Sequence, residues 1–200
     1  PHLIYNTLEA IILTAENREY EQVVTLVSSL SDLFKITLSQ GREWISLREE
    51  LSHIRSYLEI QQIRYQDILD FKVLVDTPNN LELDSLYVLK LIIQPLVENS
   101  IYHGIKKKRA RGMITVRVWN FTEIDFTISV ADTGKGLTEE ELKSLIFSLD
   151  REAETSGGFG LRNVHQRLKF CYGQTYGLHI KSEHGVGTTV SMRIPLKMED

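Results

Sequence analysis

Apolar residues recur at helical spacing through the first third of the chain. Ile4, Leu8, Ile11, Ile12 and Ala15 form one run, and Val23, Val24, Val27, Leu30 and Phe34 form a second. Recurrence at three- and four-residue steps marks one face of a 3.6-residue helix. The polar stretch 14–17 (TAEN) predicts a break between a short first helix and a longer second one. Residues 39–43 (SQGRE) read as a loop. Ser46, with Glu49 three residues on, then forms a capping box. The helix it opens carries Leu51, Ile54, Leu58 and Tyr65 along one face. Residues 1–66 therefore predict an antiparallel helical region. Short helices bury little apolar surface alone, so self-association is the natural cover for its stripe.

The period changes near residue 68. The run 68–76 (ILDFKVLVD) alternates and predicts a strand. Residues 77–80 (TPNN) are a turn, and 84–105 (DSLYVLKLIIQPLVENSIYHGI) read as a helix with an internal proline, Pro95. Two strands follow at 113–120 and 124–132, joined by a short turn. Thr138 with Glu141 offers a second capping box, and 150–160 (DREAETSGGFG) is polar and glycine-rich. A helix over 161–173 ends at Gly173, a C-cap residue type. Strands at 176–182 and 187–195 close the chain around EHGVG. Residues 67–200 thus predict a second domain, an α/β two-layer sandwich, and the whole chain an α+β fold.

Composition narrows the class. The apolar fraction is 42%, enough for a real core, and the net charge is −4, which supplies no basic field for nucleic acid. The basic run 106–111 (KKKRAR) lacks interleaved aromatics and reads as a solvated loop. Cys171 is the single cysteine, so no disulfide can form within the chain, which fits the cytoplasm. No apolar run is long enough to span a bilayer, so no membrane contact is expected of these residues. The start at Pro1 rather than methionine predicts that upstream residues have been removed.

Three stretches carry chemistry. In QPLVENSIYHG (94–104), Glu98, Asn99, Tyr102 and His103 cluster on one helix. Asn99 offers a neutral hard oxygen suited to Mg²⁺, and Glu98 is an acid able to polarise a nucleophile. His103 either faces a phosphate or caps the helix end, where the dipole favours a cation. In ADTGKGL (131–137), Asp132 at a strand end can accept a hydrogen bond from an exocyclic amine such as that of adenine. Gly134 and Gly136 let backbone approach a flat ring, although such turns also occur with no ligand. In SGGFGLRN (156–163), Gly157, Gly158 and Gly160 lead into a helix N-terminus, which presents N–H groups to phosphate. That loop does not follow a strand, so a dinucleotide-fold reading fails its context. The remaining histidines, His53, His165, His179 and His184, read as surface or packing residues.

The order of these stretches resembles the GHKL (Bergerat) ATP-binding domain shared by gyrase, a heat-shock chaperone, a mismatch-repair protein and histidine kinases. That resemblance implies ATP with Mg²⁺ on Asn99 and Asp132 reading adenine between Gly134 and Gly136. It also implies a mobile lid over about 138–160, Gly158, Gly160 and Leu161 at the phosphates beside His103, and Thr188 supporting the adenine pocket. The opening PHLIYNTL, with YLEIQQIRYQD (57–67) and IIQPLVENSIYHGI (92–105), is similar to the sensor histidine kinases of the LytS/YesM type. Leu3 stands where that type usually has phenylalanine.

The resemblance implies that His2 is the phosphoacceptor, with Glu98 assisting from the ATP side. It implies a homodimer through the N-terminal helices, a response regulator receiver domain as partner, and a parent protein anchored in the bacterial membrane with this part in the cytoplasm. Asn6 lies one helical turn after His2, placed to orient its imidazole or a water. The competing classes are an ATP-driven clamp or ATPase of the same superfamily, and a GHKL-type ATP-binding regulator without kinase activity.

Overall fold

The structure is a computed structural model and describes residues 2–37, 42–78, 81–108, 110–150 and 159–196. Two helices, α1 (His2–Glu16) and α2 (Tyr20–Thr37), form the N-terminal hairpin, broken where the sequence predicts. A short strand β1 (Trp44–Ser46) leads into α3 (Leu47–Arg64). The Ser46 capping box is present in full: Ser46 Oγ accepts from the Glu49 amide at 3.1 Å, and Glu49 Oε2 accepts from the Ser46 amide at 2.9 Å. Such a cap contributes about 1 kcal/mol to the helix it opens.

Helix α3 is buried nearly all round. Leu47, Leu51, Ile54, Tyr57, Leu58 and Ile60 join one continuous core that runs from Leu26 of α2 to Ile194 at the end of the chain. Only Arg48, Ser52 and Arg55 of this helix are exposed, so α3 sits inside the fold even though it also buries Glu50, His53, Ser56 and Gln61. Thus α3 packs against α2 on one side and against the sheet-bearing part on the other.

The main sheet has five strands in the order β2-β4-β5-β7-β6: β2 (Leu69–Val75), β4 (Gly112–Trp119), β5 (Asp125–Asp132), β6 (Leu178–Glu183) and β7 (Gly187–Pro195). The β2–β4 pair is parallel and the others are antiparallel. Alternation decides which face is inward: Ile114, Val116 and Val118 of β4 and Val190, Met192 and Ile194 of β7 are buried. Helices α4 (Gln94–Asn99), α6 (Glu139–Leu149) and α7 (Phe159–Tyr172) form the second layer, with α5 (Lys106–Lys108) a single turn. Thr138 and Glu141 complete the second capping box. Gly173 ends α7 with φ +106° and donates its amide to the Lys169 carbonyl.

One expected element is corrected. Residues 84–93 are not the start of a long helix. Tyr87–Leu89 form strand β3, paired antiparallel with β1, and the helix begins only at Gln94 with Pro95 in its first turn. Proline fits there because the first turn's N–H groups have no intrahelical partner. Leu91 sits at φ +60°, a left-handed conformation rare for a leucine, which turns the chain between β3 and α4.

Candidate nucleotide site

Helix α4 does not end at Asn99. It continues as a π-helical stretch, Ser100–Ile105, before α5. A π-helix is rare and takes one more residue per turn. It lies against the end of β5, where Asp132 is buried at 7% exposure. Asp132 Oδ1 accepts from the Gly134 amide at 2.8 Å. Burial pushes the carboxyl above its usual range, opposed by hydrogen bonds from the Gly134 amide, Ser100 and the Thr188 amide and by the charge of Lys108. A carboxylate with acceptor capacity remaining at the base of a cleft is suited to a polarised N–H such as an exocyclic amine.

Two glycines create the space around it. A Cβ on Gly104 would lie 2.7 Å from Asp132 Oδ1, and one on Gly134 would lie 2.6 Å from the same oxygen and strike the Gly104 backbone. The π-helix and the DTG turn therefore meet backbone to backbone. Gly136 holds φ +64°, and a side chain there would strike the Glu183 carbonyl. Thr188 faces Asp132 in the β5–β7 register, and its hydroxyl lies 2.8 Å from Ser182 Oγ. Ser182 Oγ in turn accepts from the Leu137 amide, fixing the turn after Gly136.

The resulting cleft has two adjoining chambers. The first, about 310 Å³, is lined by Asn99, His103, Gly104, Asp132, Gly136, Leu137 and Thr188 among others. The second, about 250 Å³, is lined by Pro95, Glu98, Asn99, Tyr102, His103, Leu145, Gly160 and Leu161. Asn99, His103 and Leu145 belong to both. Gly160 and Leu161 open α7, where the first-turn amides lack intrahelical partners. A third cavity, about 600 Å³, continues from the second toward the N-terminal hairpin. It is lined by Leu3 and Asn6 of α1, Tyr57, Arg64, Tyr65, Glu98, Tyr102 and Lys106. Lys106 Nζ lies over the rings of Tyr65 and Tyr102, with centroids 4.8 and 5.1 Å away.

The site residues expected from sequence fall as follows. Asn99, His103, Asp132, Gly136 and Thr188 line one chamber, and Glu98, Gly160 and Leu161 line the next. Gly134 supports Asp132 from behind. Asn6 shares the third cavity with Glu98. His2 opens α1, its side chain lying outside the described residues, and Gly158 lies outside them altogether. His103 is not at a helix end, because helical structure continues to Lys108, so its capping reading falls away. Sequence reasoning missed Ser100, Gly104, Lys135 and Leu145. Gly104 carried a usable signal: a glycine inside an apolar helical run marks a close approach.

Among the described residues, no three His, Cys, Asp or Glu groups cluster to hold a metal. Asn99 alone offers a neutral oxygen at the junction of the two chambers. That donor set fits Mg²⁺, which binds through few protein ligands plus waters and phosphate oxygens.

Comparison with known proteins agrees with this geometry. Residues 1–69 match the model of the family described as histidine kinase, and residues 87–198 match that of the histidine kinase-, DNA gyrase B-, and HSP90-like ATPases. Sensor histidine kinase YesM of Bacillus subtilis is 30% identical over 211 residues, covering 100% of this chain and 32% of the relative. The chain spans between 32% and 66% of the length of curated relatives it matches. The histidine kinase domain of a blue-light activated histidine kinase from Erythrobacter litoralis shares the fold at TM-score 0.53 and 19% identity, over 98% of this chain and 95% of that one. Histidine kinase ThkA, solved in complex with response regulator protein TrrA, matches at TM-score 0.53 and 20% identity over 88% of this chain and 49% of that one. With a two-chambered cleft on a sandwich that matches the histidine kinase-, DNA gyrase B-, and HSP90-like ATPases, and a helical region before it that matches the histidine kinase model, the chain belongs to the histidine kinase family.

Proposed function

We propose that the chain is the catalytic core of a two-component sensor histidine kinase, which uses Mg-ATP to phosphorylate His2 and passes the phosphoryl group to an aspartate of a response regulator. The observation that carries this reading is the position of Glu98. It lines both the chamber beside Asn99 and the cavity that reaches the first turn of α1. ATP with its adenine amine on Asp132 and its phosphates toward Gly160 and Leu161 would direct the γ-phosphate at that junction.

The chemistry is balanced by these residues. An unprotonated nitrogen of the His2 imidazole forms the N–P bond, and the bond from the γ-phosphorus to the bridging oxygen breaks with its electron pair leaving on ADP. The other ring nitrogen becomes acidic as the bond forms and yields its proton to the Glu98 carboxylate. Asn6, one turn after His2, orients the ring or a water. Asn99 would hold Mg²⁺, which when bound neutralises phosphate charge. The first-turn amides of α7, beside the second chamber, would meet the same charge.

The exposed apolar residues Ile4, Tyr5, Leu8, Ile12, Val24 and Val27 on α1 and α2 support a homodimer through the hairpin. The match to ThkA, which was solved with a response regulator, supports the partner class. Titration with ATP and Mg²⁺ followed by γ-labelled ATP tests the proposal. Binding with acid-labile, base-stable label on the protein supports a kinase; binding without label supports the regulator or ATPase reading instead.

A further inference from the structure

Three features stand outside the mechanism above: the buried acid Glu50 on α3, the buried His53 one turn after it, and the Lys106–tyrosine cluster of the third cavity. The second leads directly to a reacting group. His53 is 2% exposed, and its Nε2 lies 2.7 Å from Gln94 Oε1. Gln94 Nε2 donates to Glu98 Oε1 at 2.8 Å. A carboxylate oxygen only accepts, so the Gln94 amide must turn its NH₂ to Glu98 and its carbonyl to His53. His53 must then carry its proton on Nε2. The direction of all three groups is fixed by the last of them.

Resting on the proposed function, the geometry points to His53 and Gln94 as positioning residues for Glu98: a donor chain from buried α3, through the first turn of α4, that holds the carboxylate between the nucleotide chambers and α1. A plain i, i+4 pair on a helix would need no buried imidazole behind it. Here His53 Nδ1 is buried with no hydrogen-bond partner. An unpaired buried polar atom is costly, and an apolar side chain at this place would avoid it. The ring's one partnered atom is the one that orders Gln94. Burial lowers the His53 pKa, opposed by its hydrogen bond to Gln94, so the ring stays neutral and the chain keeps its direction.

The same helix fixes the other side of α4. Glu50 Oε2 accepts from the Leu91 amide at 2.9 Å and Oε1 from the Ile93 amide at 3.0 Å. The segment that launches Glu98 is therefore tied to α3 through its backbone by Glu50 and through its side chain by His53. α3 also packs against α2, so the placement of Glu98 is referred to the hairpin that carries His2.

The test is single-turnover formation of acid-labile label from γ-labelled ATP, beside nucleotide affinity measured by titration. His53→Leu removes the donor and the unpaired nitrogen together. It is expected to slow label formation about tenfold or more while nucleotide Kd stays within about threefold. Gln94→Met breaks both hydrogen bonds without touching the buried ring and is expected to match it, should His53→Leu fold poorly. His53→Gln keeps an N–H donor and is expected to recover most of the rate. Combined with Glu98→Gln, His53→Leu should add no further loss, because both act through one carboxylate. A wild-type rate in both His53→Leu and Gln94→Met, or losses that multiply with Glu98→Gln, overturns the inference while leaving the kinase reading intact. No label from the wild-type chain overturns both.

Discussion

Gly104 packs against Asp132 so closely that only glycine fits: a methyl group on residue 104 would sit 2.7 Å from Asp132 Oδ1. The backbone of the π-helix takes the place where a side chain would block the buried carboxylate. Gly104→Ala must therefore displace Asp132 or the helix, and overpacking of this kind costs about 1–3 kcal/mol. We expect nucleotide affinity to fall about tenfold or more. Calorimetric titration of ATP into the folded variant checks this, and an unchanged Kd would contradict the role of Gly104.

The pH dependence of stability should contain a contribution from Glu50. Burial lifts its carboxyl from 4.5 to about 7, against opposing hydrogen bonds from the Ile93, Leu91 and Ile92 amides and the charge of Arg167. Folding thus raises the affinity for this proton. The associated stability is fully present below about pH 4.5 and is lost as pH rises through about 7. Glu50→Gln removes that titration. Denaturant midpoints measured from pH 5 to pH 8 should fall more steeply in the wild-type chain than in the variant; parallel curves would contradict the assignment.

Much of this architecture was legible in the sequence, and the exceptions have a common cause. Both capping boxes, the break between α1 and α2, the β4–β5 hairpin and the Gly173 cap depend on residues within a few positions of one another. The misread segment, 84–93, depends on distant partners. Tyr87–Leu89 become a strand because Trp44–Ser46 lie alongside. Leu91 adopts its left-handed turn where Glu50, far away in sequence, accepts the backbone amides on either side of Ile92. The apolar run alone fits helix and buried strand equally. At the site, Asn99, Asp132 and Gly136 were visible as chemistry, and Gly104 stood out only as a glycine within an apolar helical run, whereas Ser100 was hidden because it meets Asp132 across the fold.

The second capping box gives a local prediction. Thr138 Oγ1 accepts from the Glu141 amide at 3.2 Å at the start of α6. Thr138→Ala should destabilise by about 1 kcal/mol. The loss should concentrate in α6, which borders both chambers through Leu145. Amide exchange resolved by residue checks this: faster exchange across 139–149 with the sheet unchanged is the expected result.

The hairpin stripe predicts assembly. Ile12 and Val24 are 59% and 65% exposed. Ile12→Glu with Val24→Glu should convert a dimer to a monomer while ATP affinity is retained, since neither residue lines the nucleotide chambers. Sedimentation velocity distinguishes the two states. An unchanged sedimentation coefficient would place the self-association surface elsewhere.

The central claim is that Glu98 stands between bound ATP and the histidine that opens α1. Its most direct test is to incubate the wild-type chain and His2→Gln with Mg-ATP and map the phosphoryl group by fragmentation mass spectrometry under basic conditions. The account predicts a phosphohistidine at His2 in the wild-type chain and no phosphorylated histidine in His2→Gln. A phosphoryl group on another residue, or its persistence in His2→Gln, would contradict it.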